Sequence, residues 1–227
     1  MNLLAIDAAS SVLSVAVSRG QDFFYTDTEA GMKHSELVMD IINAQTEKAG
    51  LKPRDLNGIL CMGGPGSFTG LRIGFSIAKG LALSLNIPFA PIPTLECIAY
   101  SASGVSLPVI QARKDAFFFS LFEGGNRMIE DTDGTVSQIA GLINEKKQEN
   151  EKITITGPAA DAVFNALPDE LKMSCLCSRR NTGYAKELIY IAKNKELFNN
   201  DNTAYLFSGP EYIRKTDAEI NLLRKSV

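Results

Sequence analysis

The stretch GGPGSFTGLRIG, residues 63–74, follows a short apolar run at residues 59–62 and leads into a long pattern of apolar residues at helical spacing. This order predicts a buried strand, a glycine-rich turn and a helix. Such a turn directs backbone N–H groups and the positive end of a helix dipole toward one place. Phosphate binding is therefore the first hypothesis to test against the rest of the chain.

Neither common phosphate motif fits this turn. A Walker A loop needs Lys and then Ser or Thr after its last glycine, and Leu71 and Arg72 stand there instead. A dinucleotide fingerprint needs G-x-G-x-x-G, and the spacing of Gly64, Gly66 and Gly70 differs from it by one residue. We therefore predict a structural role for the turn residues Gly64, Pro65, Gly66, Ser67, Thr69 and Gly70.

Asp7 ends the first predicted strand, in the run Asp7-Ala8-Ala9-Ser10. In actin-like and hexokinase-like ATPases an aspartate at this place begins the motif D-x-G-[ST], whose glycine lets phosphate approach the backbone. Here Ala9 replaces that glycine, and its Cβ obstructs a close approach. An aspartate that ends a strand and makes turn hydrogen bonds is the alternative interpretation.

Composition limits the possible functions. The 227 residues allow one large domain or two smaller ones, and the 45% of hydrophobic residues is enough for a packed core. The net charge of −3 argues against nucleic-acid binding through an overall positive charge, although a local basic patch remains possible. No basic leader precedes the first apolar run, and no run approaches the ~20 residues of a membrane span, so we expect a cytoplasmic protein.

The counts and spacing of histidine and cysteine argue against several kinds of metal site. His34 is the single histidine, so no site with two imidazole ligands is possible, and we expect His34 to have a surface or capping role. The four cysteines lack metal-ligand spacing and are expected to be reduced thiols. We predict no catalytic residue, no cofactor and no metal.

The order of elements predicts an α/β fold with mixed sheets. Both halves open with three strands and then alternate helices and strands, which indicates a duplicated fold, although the second half shows no counterpart of the glycine motif. The predicted divisions are residues 1–103, 104–208 and a tail at 209–227, whose mixed charge favours exposure to solvent.

Several segments of the chain can be compared together with a known family: LAID at residues 4–7, His34-Ser35, GPGSFTGLRIG at 64–74, AKGLA at 78–82, Gln111-Ala112-Arg113-Lys114, and Pro210-x-Tyr212-Ile213-Arg214. Together they resemble the TsaB family, also called YeaZ, which has Asp where this chain has Gln111. The resemblance implies an actin-like ATPase fold (ASKHA, ribonuclease H-like) of two related subdomains.

The resemblance also implies a role in tRNA modification. TsaB proteins are similar to the catalytic TsaD but lack its metal and nucleotide sites. They bind TsaD, the ATPase TsaE joins the pair, and the complex transfers a threonylcarbamoyl group to an adenosine beside the tRNA anticodon. A non-catalytic scaffold subunit is implied, with a homodimer as a further possibility and with contact to tRNA expected to be indirect.

The predicted helix at residues 71–85 supports a protein interface. Its polar residues Arg72, Ser76 and Lys79 form one narrow stripe, and apolar residues fill the remainder. We expect this helix and the one at residues 35–49 to bind TsaD or a second copy, although burial between the two halves is an alternative. The predicted interface residues are His34, Leu37, Ile41, Phe68, Arg72, Ile73, Ile77, Gly80 and Leu81.

Three other functions compete with the scaffold: an active actin-like ATPase, a peptidase using Ser10 or Ser67, and a small-molecule binding domain using the glycine turn. The substitution after Asp7 argues against the ATPase, and the lack of an arranged base argues against the peptidase. The candidate basic clusters for RNA contact are the pairs Arg113-Lys114 and Arg179-Arg180.

Overall fold

The computed structural model describes residues 1–147, 151–198 and 206–213. Two halves follow one another along the chain, and each contributes one five-stranded sheet. The first half consists of β1 (Asn2–Asp7), β2 (Val12–Arg19), β3 (Asp22–Glu29), α1 (His34–Lys48), β4 (Gly58–Gly64), α2 (Phe68–Leu85), β5 (Phe89–Pro93) and α3 (Thr94–Tyr100). The second consists of β6 (Val105–Arg113), β7 (Ala116–Glu123), β8 (Asn126–Gly134), α4 (Val136–Lys146), β9 (Ile153–Gly157), α5 (Ala160–Ala166), α6 (Asp169–Lys172), β10 (Cys175–Arg179) and α7 (Ala185–Asn194).

The two sheets have the same topology. The strand order is β3-β2-β1-β4-β5 in the first and β8-β7-β6-β9-β10 in the second. In each sheet the first three strands are antiparallel and the last two join in parallel. This confirms the predicted α/β fold of two related halves with mixed sheets.

The apolar core has three parts, which set the order of the layers. One part joins α1 and α2 to the outer face of the first sheet, and another joins α4 and α5 to the outer face of the second. The third lies between the sheets and contains α3 and α7. These two helices cross between the halves, since α7 packs on β1 and β2 whereas α3 packs on β6. The division at residues 103 and 104 stays a prediction.

The glycine turn has a counterpart in the second half, contrary to the expectation from sequence. Gly64 ends β4 with φ +108°, Gly157 ends β9 with φ +107°, and a proline follows each. Only glycine adopts such a φ without strain. The sequence predicts a turn and a helix at Gly157-Pro158, but a single Gly-Pro pair is too short a signal to identify that turn as the counterpart of residues 63–74.

Two helix starts differ from their predicted positions. α1 begins at His34, because the Lys33 carbonyl already accepts the Glu36 and Leu37 N–H groups, so Ser35 lies inside the helix and does not cap it. α2 begins at Phe68, three residues earlier than predicted, because Ser67 Oγ accepts the Gly70 N–H and caps the helix. Within the described residues, no helix is long and apolar enough to cross a membrane.

Candidate functional site

The glycine turn uses its own N–H groups to hold the loop between β1 and β2. The Ser67 N–H donates to the Ala9 carbonyl at 2.8 Å, and the Gly70 N–H donates to Ser67 Oγ at 3.2 Å. Two of the N–H groups that a phosphate would need at this helix start are therefore occupied. The geometry supports the predicted structural role over the phosphate hypothesis.

Close packing explains the glycines of this turn. A Cβ added at Gly70 would lie 1.9 Å from the Ala8 carbonyl oxygen, and one at Gly66 would lie 2.8 Å from the Ala9 carbonyl oxygen. These distances are shorter than any van der Waals contact, so a side chain at either position would force α2 away from the first sheet. The glycines thus bring the start of α2 against the end of β1.

Asp7 is a structural link between the two halves. Its Oδ1 accepts the Ala9 N–H at 3.0 Å, and its Oδ2 accepts the Tyr184 N–H at 2.9 Å, at the start of α7. Burial raises the pKa of Asp7 to about 6, against the smaller effect of the two N–H donors that lower it. The turn hydrogen bond was foreseen as an alternative, but the contact with Tyr184, 177 residues away, had no sequence signal.

A cleft of about 850 Å³ lies between the halves. Ala9, Ser10 and the glycine turn form one wall, and Ile110 and Phe118 of the second half form another. Among the described residues that line it there is neither Lys nor Arg. A triphosphate held here would find hydroxyl and apolar groups but no cation to pair with its charge.

His34 lies at this cleft, inside the first turn of α1. Its side chain is buried with a relative exposure of 5%, and its Nε2 has no hydrogen-bond partner. The prediction of a surface or capping role for His34 is wrong, because the side chain is buried and no side chain caps the start of α1, where Lys33 is the N-cap residue. For the same reason His34 is not presented on the predicted interface.

Three strips run along α2. The inner strip, Leu71, Gly74, Phe75, Ala78 and Ala82, packs on the first sheet. The second strip contains Phe68, Arg72 and Lys79, and the outer strip contains Ile73, Ile77, Gly80 and Leu81. From Phe75 onward α2 packs on the outer face of the sheet, so the alternative that the helix is buried between the two halves holds only for its first turns, where Leu71 joins the core between the sheets.

Residues 206–213, which we call the C-terminal strap, cover the second strip of α2. The Tyr212 ring packs on the Phe68 ring with centroids 4.7 Å apart, and the Arg72 Nε donates to the Tyr212 hydroxyl at 3.2 Å. Lys79 Nζ donates to the Ser208 carbonyl. The narrow polar stripe that the sequence showed on this helix is thus the surface that binds the chain's own C-terminal strap.

The strap also pairs with the glycine turn. The Glu211 N–H donates to the Gly63 carbonyl at 2.8 Å, and Glu211 O lies 2.4 Å from where a Cβ on Gly64 would be. Gly209, Glu211 and Tyr212 are exposed, as the mixed charge of the tail predicted, but this part of the tail is also held against the glycine turn and α2. Arg214 and the rest of the tail lie outside the described residues.

The outer strip of α2 remains partly open to solvent. Ile73, Ile77 and Leu81 are half-buried beside Leu37 and Ile41 of α1, which are half-buried too. Gly80 is exposed, and a Cβ added to it would meet nothing within 4 Å. Glycine inside a helix costs about 1 kcal/mol relative to alanine, so Gly80 has no explanation within this chain.

The other residues that the sequence suggested for RNA or metal binding either form ion pairs or lie apart from one another. Arg179 pairs with Asp161 at 3.0 Å, and Arg113 reaches Asp133 at 3.8 Å. Cys177 is exposed, whereas the other three cysteines are buried, and all four are free thiols. Within the described part of the chain, no three His, Cys, Asp or Glu side chains come together as a metal site would need.

Comparison with known proteins gives concordant results. The sequence profile of the family described as TsaD, tRNA N6-adenosine threonylcarbamoyltransferase, matches residues 27–222. The tRNA threonylcarbamoyladenosine biosynthesis protein TsaB of Bacillus subtilis is 27% identical over 96% of both chains. The protein of the same name from Escherichia coli is 29% identical over 79% of both.

A solved structure shows the same fold. YeaZ from Pseudomonas aeruginosa superposes with a TM-score of 0.74 at 18% identity, covering 93% of this chain and 99% of that one. The profile match, the full-length relatives and the shared fold agree with the segments that the sequence already singled out. The chain belongs to the TsaD family, among its TsaB (YeaZ) members.

Proposed function

We propose that this chain is a non-catalytic subunit of a cytoplasmic system that transfers a threonylcarbamoyl group to tRNA adenosine, and that it acts by binding TsaD through α1 and α2. The relatives are named as biosynthesis proteins of that modified adenosine, and the family profile is that of the transferase. TsaE would join the assembly, and a homodimer through the same face is the competing use of the surface.

The observation that carries this proposal is the outer strip of α2. Three large aliphatic side chains lie half-buried there, next to two more on α1, and an exposed glycine interrupts them. A glycine with open space around it lets the backbone of a partner helix approach closely. An apolar strip bordered by a small residue is a typical surface for a helix of another protein.

The non-catalytic part of the proposal draws on the cleft. Both carboxylate oxygens of Asp7 accept backbone N–H groups, so neither is directed at a ligand. The Ser67 N–H is used by the Ala9 carbonyl. The groups that an actin-like ATPase would apply to phosphate thus hold this chain together.

The substitution Gly80→Arg tests the interface without damaging the fold. Arginine has the better helix propensity, so we expect the melting temperature of the isolated chain to hold or rise. Its side chain would project into the contact, and overpacking an interface costs about 1–3 kcal/mol, so affinity for TsaD should fall about 5-fold to 150-fold. Calorimetric titration of TsaD measures the change.

Gly141→Arg is the matched control, because Gly141 is also an exposed helical glycine with nothing near an added Cβ, on α4 of the other half. It should bind TsaD as the unsubstituted chain does. Equal TsaD affinity for both variants would contradict the proposed interface.

The cleft gives one specific reason to test a second function, since its volume would hold a small molecule. An ATPase or another small-molecule role predicts saturable binding of a nucleotide by the isolated chain. Calorimetry with ATP and Mg²⁺ measures this directly. Tight, Mg²⁺-dependent binding would replace the scaffold-only proposal.

A further inference from the structure

Four aromatic side chains, which we call the aromatic row, lie on the side of the first half that carries α7. Phe23 and Tyr25 are alternate residues of β3, Tyr190 is on α7, and Tyr100 ends α3. The Phe23 and Tyr190 ring centroids are 4.8 Å apart, and the Tyr190 and Tyr100 rings follow at 6.3 Å. The three tyrosines are 39–47% exposed, so their rings are accessible along one surface.

Two lysines lie within this aromatic row. Lys186 Nζ is 4.0 Å from the centroid of Tyr25, and Lys193 Nζ is 4.9 Å from that of Phe23. With Tyr190 they occupy one face of α7 at the spacing i, i+4, i+7. Neither lysine forms an ion pair with a described residue, although Lys193 donates to the Gly20 carbonyl at 2.6 Å.

Three of the four acidic side chains near the aromatic row form ion pairs with other residues. Asp22 pairs with Arg19 at 3.7 Å, and Glu96 pairs with Lys195 at 2.6 Å. Glu187 lies on α7 itself, but it is buried and pairs with Arg180 at 2.6 Å. Asp27 follows Tyr25 on the same face of β3 and lies close to Gly183.

This arrangement differs from the basic clusters that the sequence emphasised. Arg113, Arg179 and Arg180 each have a carboxylate partner, so their charge is locally balanced. Lys186 and Lys193 instead sit over aromatic rings, with their charge unpaired among the described residues. A local positive surface thus exists on a chain whose net charge is −3.

We propose that the aromatic row with Lys186 and Lys193 binds a single-stranded segment of tRNA. Unpaired bases stack on exposed aromatic rings, and ammonium groups between the rings attract the phosphates that link those bases. A protein partner would need carboxylates placed opposite both lysines, whereas an RNA backbone supplies counter-charge along its whole length. This inference rests on the proposed role in tRNA modification and gives the chain a direct contact with tRNA, which the sequence did not predict.

The location of the row is compatible with the proposed TsaD interface. α7 packs on the inner face of the first sheet, whereas α1 and α2 pack on its outer face. Phe23 belongs to the inner core and its neighbour Phe24 to the outer one, because adjacent residues of a strand point to opposite faces. One surface can therefore hold RNA while the other holds a protein.

Fluorescence anisotropy with a labelled anticodon stem–loop tests the proposal, on the isolated chain and on its complex with TsaD. Lys186→Glu with Lys193→Glu should weaken RNA binding at least about tenfold. The slope of log affinity against log salt concentration should fall by the amount expected for the loss of about two phosphate contacts. Tyr190→Ala should weaken RNA binding about tenfold through the loss of one stacked base. Lys186→Arg with Lys193→Arg should keep the affinity, because the charge is retained.

The control for charge is Lys48→Glu with Lys147→Glu, two exposed lysines outside the row, which should bind RNA as the unsubstituted chain does. Because Lys193 also contacts Gly20, Lys186→Glu alone and a melting curve separate lost binding from lost folding. Equal RNA affinity for the row variants and the control pair would overturn the proposal. So would equal affinity for a fully base-paired hairpin of the same length.

TsaD binding by the same variants distinguishes the two proposals. Row variants that lose RNA but still bind TsaD support a separate RNA surface. Row variants that lose TsaD and keep RNA would make the row a protein contact and overturn this inference. Should Gly80→Arg leave TsaD binding intact, the proposed interface fails, while the RNA comparison between row and control variants keeps its meaning.

Discussion

The two halves share a turn but use the helix after it differently. Gly64-Pro65 and Gly157-Pro158 end equivalent strands with nearly the same φ at glycine. The first turn leads to α2 with 18 residues, and the second leads to α5 with 7. On α5, Asp161 forms an ion pair with Arg179 of the same half. On α2, by contrast, an outer strip of aliphatic side chains is only half-buried.

The comparison suggests what the longer helix is for. Both sheets need a short helix to cover the end of the parallel strands, and α5 meets that need. α2 extends well beyond it, and the C-terminal strap covers one strip of the helix through Phe68, Arg72 and Lys79. The outer strip of α2 stays partly exposed, and packing within this chain does not explain its aliphatic side chains.

Gly70→Ala should have the largest effect of the changes that test this comparison. The new Cβ would lie 1.9 Å from the Ala8 carbonyl oxygen, so α2 must move off the sheet, at a cost of about 3 kcal/mol or more. The third residue of α5 is Ala162, which is exposed, and Ala162→Gly should cost only about 1 kcal/mol. Chemical denaturation measures both, and similar values would contradict the difference in packing.

Asp7→Ala should have the next largest effect. It leaves the Ala9 and Tyr184 N–H groups buried without an acceptor and should cost about 2–3 kcal/mol of unfolding free energy. In the second half, Asp161 makes a half-exposed ion pair with Arg179, and its replacement by alanine should cost less than about 1 kcal/mol. Urea melts compare them, and a neutral Asp7→Ala would mean that Asp7 does not join the halves.

The sequence was sufficient for features encoded over short distances. The turn, the helix after it and the repeated order of strands are local patterns, and all three were predicted. The structural role of Gly66 and Gly70 also followed, because the motifs that bind phosphate have fixed spacings that this stretch does not match.

Features formed by distant segments were missed. Tyr212 meets Phe68 across 144 positions, and no periodicity signals that contact, although the resemblance of the tail to the family hinted at a role. α7 packs on the first sheet instead of its own because the halves exchange helices. His34 was misjudged since polarity favours the surface, whereas the fold around α1 encloses the ring.

Tyr212→Ala should have a moderate effect, because it removes the ring contact with Phe68 and the hydrogen bond from Arg72 at a partly exposed site. We expect a loss of about 1–2 kcal/mol. Phe207 of the same strap is 93% exposed, and Phe207→Ala should change stability by less than about 0.5 kcal/mol. Thermal melts of both variants measure the difference, and equal effects would show that the strap does not hold α2 through Tyr212.

The smallest expected effect is the pH dependence that Asp7 imposes on stability. Its pKa is raised to about 6 by burial, whereas an exposed aspartate has its ordinary value of 3.8. The folded state therefore binds the proton more tightly than the unfolded state. The part of the stability that depends on this proton is fully present below pH 3.8 and is lost as the pH rises through about 6. Relative to Asp7→Asn, which does not titrate, the unsubstituted chain should gain about 1 kcal/mol between pH 7 and pH 5, because one bound proton changes stability by at most about 1.4 kcal/mol per pH unit. Denaturation at a series of pH values measures the unfolding free energy of both proteins. A difference between them that stays constant from pH 7 to pH 5 would place the titration of Asp7 outside this range. It would argue that the Asp7 carboxylate is better solvated than its burial between the halves implies.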